Sequence, residues 1–358
     1  MAEYRDDYGF FDKALHYLAF NTSKMQMSLA RQESDQYAQT LGSLSIKKPV
    51  FITSLPRSGT TILLDVLTTT DEFSYHSYKD MPFIFTPLFW SKFNVHFAKD
   101  HKLKPRAHND GIQINQDSAE AFEEMLWKTF WPQAYRGQSI DQWQSHDNNN
   151  FDRFFIEHIK KLHLRDRLML GKNKQRYISK NNLNIARIPY LTRLFPDSIV
   201  LTPFRDPLQH ALSMLRQHKS FSVLHQHNAF ARRYMAAIGH FDFGANLKPI
   251  NFNQWHDRTL FKPDSLNFWL EYWIESYRYL LDKQKSKIFF ISFEDLCETP
   301  ATSLAVLAKN LDLALPNLQK SITKLKLPKI HLIDITAVKK EKLSEANEIF
   351  QRLRDCAM

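Results

Sequence analysis

Short apolar runs rich in β-branched and aromatic residues recur along the chain, and most give way to a polar or small segment and then to helix-period spacing. The first, Val50-Phe51-Ile52-Thr53, follows Lys48-Pro49 and leads through Ser54-Leu55-Pro56-Arg57-Ser58-Gly59 into Thr60-Thr61-Ile62-Leu63-Leu64-Asp65-Val66-Leu67. That reads as strand, loop, helix. A second run, Phe73 to Tyr78, ends at Lys79-Asp80-Met81-Pro82, and a third, Arg176 to Ser179, ends at Lys180-Asn181-Asn182. A fourth, Ser198 to Phe204, meets Arg205-Asp206-Pro207 and a helix expected to reach about His218, with Asp206 as its N-cap and Pro207 in its first turn. The last, Lys287 to Phe293, precedes Glu294-Asp295-Leu296 and a helix that Thr299-Pro300 can start. Strands alternating with helices predict an α/β fold around a mostly parallel sheet, with ligands at the carboxyl ends of the strands.

The alternation lapses twice, over 83–175 and 221–264, where aromatic and polar residues predict largely helical insertions that cover the sheet or build a substrate pocket. Residues 1–45 read as a helical cap, and one domain is expected across 1–358. Phe268, Trp269, Tyr272, Trp273, Tyr277 and Leu280 fall at helical spacing, the pattern of a helix packed on the sheet.

Composition narrows the function classes. A formal net charge of +10 admits nucleic acid, an anionic surface or a polyanionic small ligand. Two cysteines, Cys297 and Cys356, argue against a disulfide framework. The amino terminus lacks a basic region followed by an apolar run, and no long apolar stretch is free of charge, so the expected setting is the cytoplasm without a membrane span. The histidines and cysteines form no metal-ligand motif, and no metal is called for.

The loop at Pro56-Arg57-Ser58-Gly59-Thr60-Thr61 carries the most chemistry. A chain leaving a strand and entering a helix aims backbone N–H groups at one point, where the positive end of the helix dipole also lies. Gly59 permits close approach of a phosphate, the hydroxyls add donors and Arg57 adds charge. A magnesium-nucleotide loop would place lysine after the glycine, and Thr60 stands there instead.

In this loop the sequence resembles the sulfotransferases that use 3′-phosphoadenosine 5′-phosphosulfate (PAPS), in the branch whose 5′-phosphosulfate loop reads Pro-Arg-Ser-Gly-Thr-Thr. Two further segments share the resemblance: Arg205 at a strand end with Ser213 on the next helix, and Ile291-Ser292-Phe293-Glu294-Asp295-Leu296 with Pro300. The resemblance implies a P-loop-like three-layer fold and a site that binds PAPS and releases 3′-phosphoadenosine 5′-phosphate (PAP). Arg57, Ser58, Gly59, Thr60 and Thr61 would hold the 5′-phosphosulfate, and Arg205 and Ser213 the 3′-phosphate. It also implies a lysine near the bridging oxygen, here Lys180, although Asn181 and Asn182 replace the family's usual Ser-Pro. For the proton acceptor it implies Asp80, where glutamate is usual; His76 and His108 are rivals. The acceptor bears a hydroxyl or amine, with a carbohydrate favoured for the aromatic and basic insertions. A P-loop kinase, a nucleic-acid-binding protein and a nucleotide-binding relative without activity stand as alternatives.

Overall fold

The computed structural model describes residues 22–94, 104–105, 113–114, 118–120, 122–143, 148–283 and 288–358. Five strands form the central sheet: β1 (Val50–Ile52), β2 (Phe73–Ser74), β3 (Arg176–Lys180), β4 (Ile199–Phe204) and β5 (Ile288–Ser292). Their order is β2-β3-β1-β4-β5, and every pairing is parallel. β1 lies at the centre. The chain leaves it for the β2 edge, whereas the connection from β3 to β4 passes to its other side, the topology that opens a ligand crevice at the strands' carboxyl ends.

Ile52 pairs with Lys180 on one side and Leu201 on the other, so the segments beginning at Thr53 and Asn181 emerge side by side. Successive strand residues point to opposite faces and feed two cores. Phe51, Tyr177, Val200, Phe204 and Phe290 join one; Val50, Ile52, Ile178, Leu201 and Ile291 join the other. Burial on both faces explains why these runs are continuously apolar.

Described helices used below are α1 (Ser23–Gln36), α2 (Thr60–Thr68), α3 (Glu124–Phe130), α4 (Asn149–Leu170), α5 (Pro207–His227), α6 (Leu266–Asp282) and α7 (Pro300–Leu311). Leu63, Leu64 and Leu67 of α2 and Leu304, Leu307 and Leu311 of α7 cover one face. Trp127 of α3, Phe151 and Phe155 of α4, and Trp269, Trp273 and Tyr277 of α6 cover the other, giving three layers. The aromatic spacing of α6 therefore reports packing. Among the described residues, no helix is long and apolar enough to cross a membrane.

Three element boundaries differ from the sequence reading. β2 stops at Ser74 because Ser77 and Asp80 form a capping box around the short turn Tyr78–Asp80. α5 continues to His227, since neither glycine nor proline interrupts it; Asn228 then accepts from Ala231 N and starts the helix Ala229–Ala237. Phe293 begins a helix because Ser292 Oγ accepts from Asp295 N at 3.2 Å. Asp206 does cap α5, its Oδ1 accepting from Gln209 N at 2.9 Å.

Candidate functional site

The loop after β1 is held on several sides. Gly59, at the N-cap of α2, has φ +98°, and a Cβ there would lie 2.2 Å from the Phe293 ring. Only glycine meets both conditions. Arg57 adopts φ +74°, a costly conformation for a residue with a Cβ, and Arg205 Nη1 fixes it by donating to the Arg57 carbonyl at 3.1 Å. His210 Nε2 donates to the Pro56 carbonyl at 2.9 Å. Burial, with Arg205 and Arg57 nearby, lowers the His210 pKa to about 3 and keeps the ring neutral. Ser54 Oγ donates to Tyr277 Oη at 2.8 Å, and that hydroxyl donates to the Pro203 carbonyl at 3.1 Å.

No side chain caps α2, and the buried Ser58 Oγ has no hydrogen-bond partner among the described residues. Such a hydroxyl beside a helix N-terminus suits an anion.

β4 delivers the second basic group. Arg205, buried to 8% exposure, places Nε 3.6 Å from Glu294 Oε1, which also accepts from Asp206 N at 3.3 Å. Ser213 lies on the second turn of α5, where Arg57 Nε donates to its Oγ at 3.4 Å. Arg57 of the loop is thus brought together with Arg205 and Ser213, which belong to a second, distant sequence segment.

Residues 49–252 match the family model described as "Sulfotransferase family", more than half of the chain. The chain belongs to the sulfotransferase family. No curated protein matches it. Among solved structures, the sulfotransferase STF9 from Mycobacterium avium shares 11% identity over 96% of this chain and 89% of its own, with a TM-score of 0.51. STF1 from Mycobacterium tuberculosis is similar at 14% identity over 91% of this chain and 81% of its own, with a TM-score of 0.47. The likeness to STF9 bears on fold, and that fold is the sulfotransferases' P-loop-like one.

The remaining residues implied by the family resemblance fall in different places. Lys180 ends β3 opposite Ile52, buried at the edge where the loop emerges. Asp80 is also buried, and Arg165 Nη1 of α4 donates to its two carboxylate oxygens at 2.7 and 2.9 Å while Ser77 N donates at 2.8 Å. Burial alone would raise this carboxyl, but Arg165, His76 and the Ser77 N–H outweigh it and hold the group well below the usual carboxylate range. A carboxylate so engaged ties α4 to the end of β2 and is poorly placed to accept a proton. His76 is buried against His158, their Nε2 atoms 3.0 Å apart. His108 lies outside the described residues.

Several residues at this edge carry no sequence signal of their own. Glu294 and Phe293 belong to a segment recognised in the sequence, and the structure gives that segment work: the ring covers Gly59 and the carboxylate faces Arg205. Asn182 Nδ2 donates to Asp242 Oδ2 at 3.0 Å, and its Oδ1 accepts from Thr60 Oγ1 at 3.5 Å. Nothing local marks Asp242, which reaches the site from the second insertion.

Proposed function

We propose that this sulfotransferase moves the sulfonate group of PAPS to an acceptor hydroxyl or amine and releases PAP. The observation that carries the reading is the convergence of Arg57, Arg205 and Ser213 beside the uncapped start of α2 and the unpartnered Ser58 hydroxyl. A donor with phosphates at both the 3′ and 5′ positions needs two anion-binding points, and the grouping of these side chains supports a reading with both.

On this reading Ser58, Gly59, Thr60 and Thr61 hold the 5′-phosphosulfate, and Arg205 and Ser213 hold the 3′-phosphate. Arg57 serves both, and Lys180 neutralises charge on the bridging oxygen. The reaction is an in-line displacement in which positioning and charge stabilisation supply most of the acceleration. Thr60, standing where a magnesium-nucleotide loop has lysine, supports this reading over a kinase.

The segments 83–175 and 221–264 cover the acceptor side in this proposal, within one domain that works in the cytoplasm. A carbohydrate hydroxyl is the acceptor class we favour, on the aromatic and basic make-up of those segments. Trp127 and Phe151 are buried in the core, so any stacking on a sugar falls to other residues of the insertions.

The test is incubation of the purified chain with labelled PAPS without magnesium. Formation of PAP supports the proposal. Recovery of intact PAPS, with turnover of magnesium-ATP, contradicts it.

A further inference from the structure

Lys180 is followed by two asparagines, and each gives its side chain to a residue outside the sheet. Asn181 Nδ2 donates to Glu124 Oε2 at 2.7 Å, a carboxylate that also receives the buried Arg187. Asn182 spans Asp242 and Thr60 with the two ends of one amide. A single amide therefore separates Asp242 from the first residue of α2, beside the loop proposed to hold the sulfonate.

The turn that carries Asp242 is clamped in place. Lys128 Nζ donates to the Ala237 carbonyl at 3.0 Å, and Gly239, at φ +85°, packs so close that a Cβ would lie 2.3 Å from Glu124 Cγ. Glu124 thus touches both this turn and Asn181. His240 Nε2 stands 3.8 Å from the same Asp242 oxygen that Asn182 binds. Both side chains keep some exposure, 18% for His240 and 15% for Asp242, unlike the buried Asp80 with its Arg165 partner.

We propose that Asp242, with His240 beside it, is the group that receives the acceptor's proton, an assignment that rests on the sulfotransferase reading above. In the step, the acceptor O–H bond breaks and its proton passes to the Asp242 carboxylate. The acceptor oxygen forms a bond to sulfur, and the bond between sulfur and the bridging oxygen breaks, its electron pair leaving with PAP. Asn182 is a positioning residue, setting the carboxylate against the loop. The two asparagines after Lys180 are then the joint that registers the second insertion on the nucleotide edge.

The experiment uses the full chain in single-turnover incubations with labelled PAPS, with phenol or water as acceptor, and measures PAP affinity on the same proteins. Asp242→Asn is expected to slow PAPS consumption about 10²- to 10⁴-fold with PAP affinity unchanged. Asp242→Glu, which keeps a carboxylate, is expected to recover part of that rate. An unchanged rate in Asp242→Asn overturns the proposal. Parallel loss of rate and PAP affinity also overturns it, because the carboxylate would then serve nucleotide binding. Should the asparagine variant not fold, a glutamate variant that folds, binds PAP and consumes no PAPS overturns it as well. A wild-type chain that binds PAP but leaves PAPS intact with both acceptors counts against the transfer reading on which the Asp242 assignment rests, and one that does not bind PAP removes the donor reading itself; an active wild type with an equally active Asp242→Asn overturns Asp242 alone.

Discussion

Arg205 Nη1 donates to the backbone carbonyl of Arg57 at 3.1 Å, linking residues that lie 148 apart in the chain. The bond holds Arg57 at a positive φ while Arg205 Nε stands beside Glu294 and Arg57 Nε donates to Ser213 Oγ. One side chain thereby shapes the loop and, in the proposed function, also holds the 3′-phosphate.

Arg205→Ala should therefore weaken PAP binding by more than the loss of an ordinary surface charge. Hydrogen bonds to charged groups contribute about 1.5–3 kcal/mol each, so the expected loss is about 10- to 150-fold in Kd. Titration of the variant with PAP checks this, and an unchanged affinity removes Arg205 from the 3′-phosphate site.

Gly59→Ala should cost stability as well as nucleotide binding. The substituted residue must hold φ +98° and push against Phe293, a combination expected to destabilise by about 1–3 kcal/mol. Pairing it with Phe293→Ala should return part of that loss in a double-mutant denaturation cycle, because the clash is removed while the backbone strain stays.

Asp80→Asn is expected to act on folding. Arg165 would lose its bidentate partner inside the protein but keep Asp166, so a loss of about 3 kcal/mol is expected, at the low end for breaking a buried pair. Urea denaturation reads the stability. If the variant is as stable as the wild type yet loses transfer, Asp80 belongs to the chemistry after all.

Acid should destabilise the protein through His210. In the unfolded chain this ring takes a proton near pH 6.5, whereas in the folded chain burial and the neighbouring arginines hold its pKa to about 3. As pH falls from 6.5 toward 3 the unfolded state gains a proton that the folded state refuses, so stability present above 6.5 is lost through that window. His163, lowered to about 4 mainly by burial, adds in the same direction. Denaturation at pH 7 and 4.5 should show a shallower acid loss in His210→Gln than in the wild type.

The parts legible in the sequence are those specified locally. The five apolar runs, the loop at Pro56–Thr61 and the Asp206 cap depend on neighbouring residues, and each lies where its spacing predicts. The contacts around Asp80 and Asp242 are long-range: Arg165 meets Asp80 across 85 positions, and Asn182 meets Asp242 across 60. No periodicity encodes such pairings. The sequence places Asp80 just after β2 but does not show its partner Arg165, which lies on a helix that no local pattern ties to it. No local pattern marks Asp242, because the turn that presents it has regular structure only on either side. The asparagines after Lys180 depart from the family's pattern, and their partners, Glu124 and Asp242, come from the two distant insertions.

The proposed function stands on a nucleotide site that accepts phosphates at both the 3′ and 5′ positions. Calorimetric titration of the purified chain with PAP, alongside ADP and ATP and without magnesium, tests it most directly. The proposed function predicts micromolar or tighter binding of PAP and much weaker binding of the other two, which lack the 3′-phosphate. Absence of PAP binding, or a preference for ATP that requires magnesium, would contradict it.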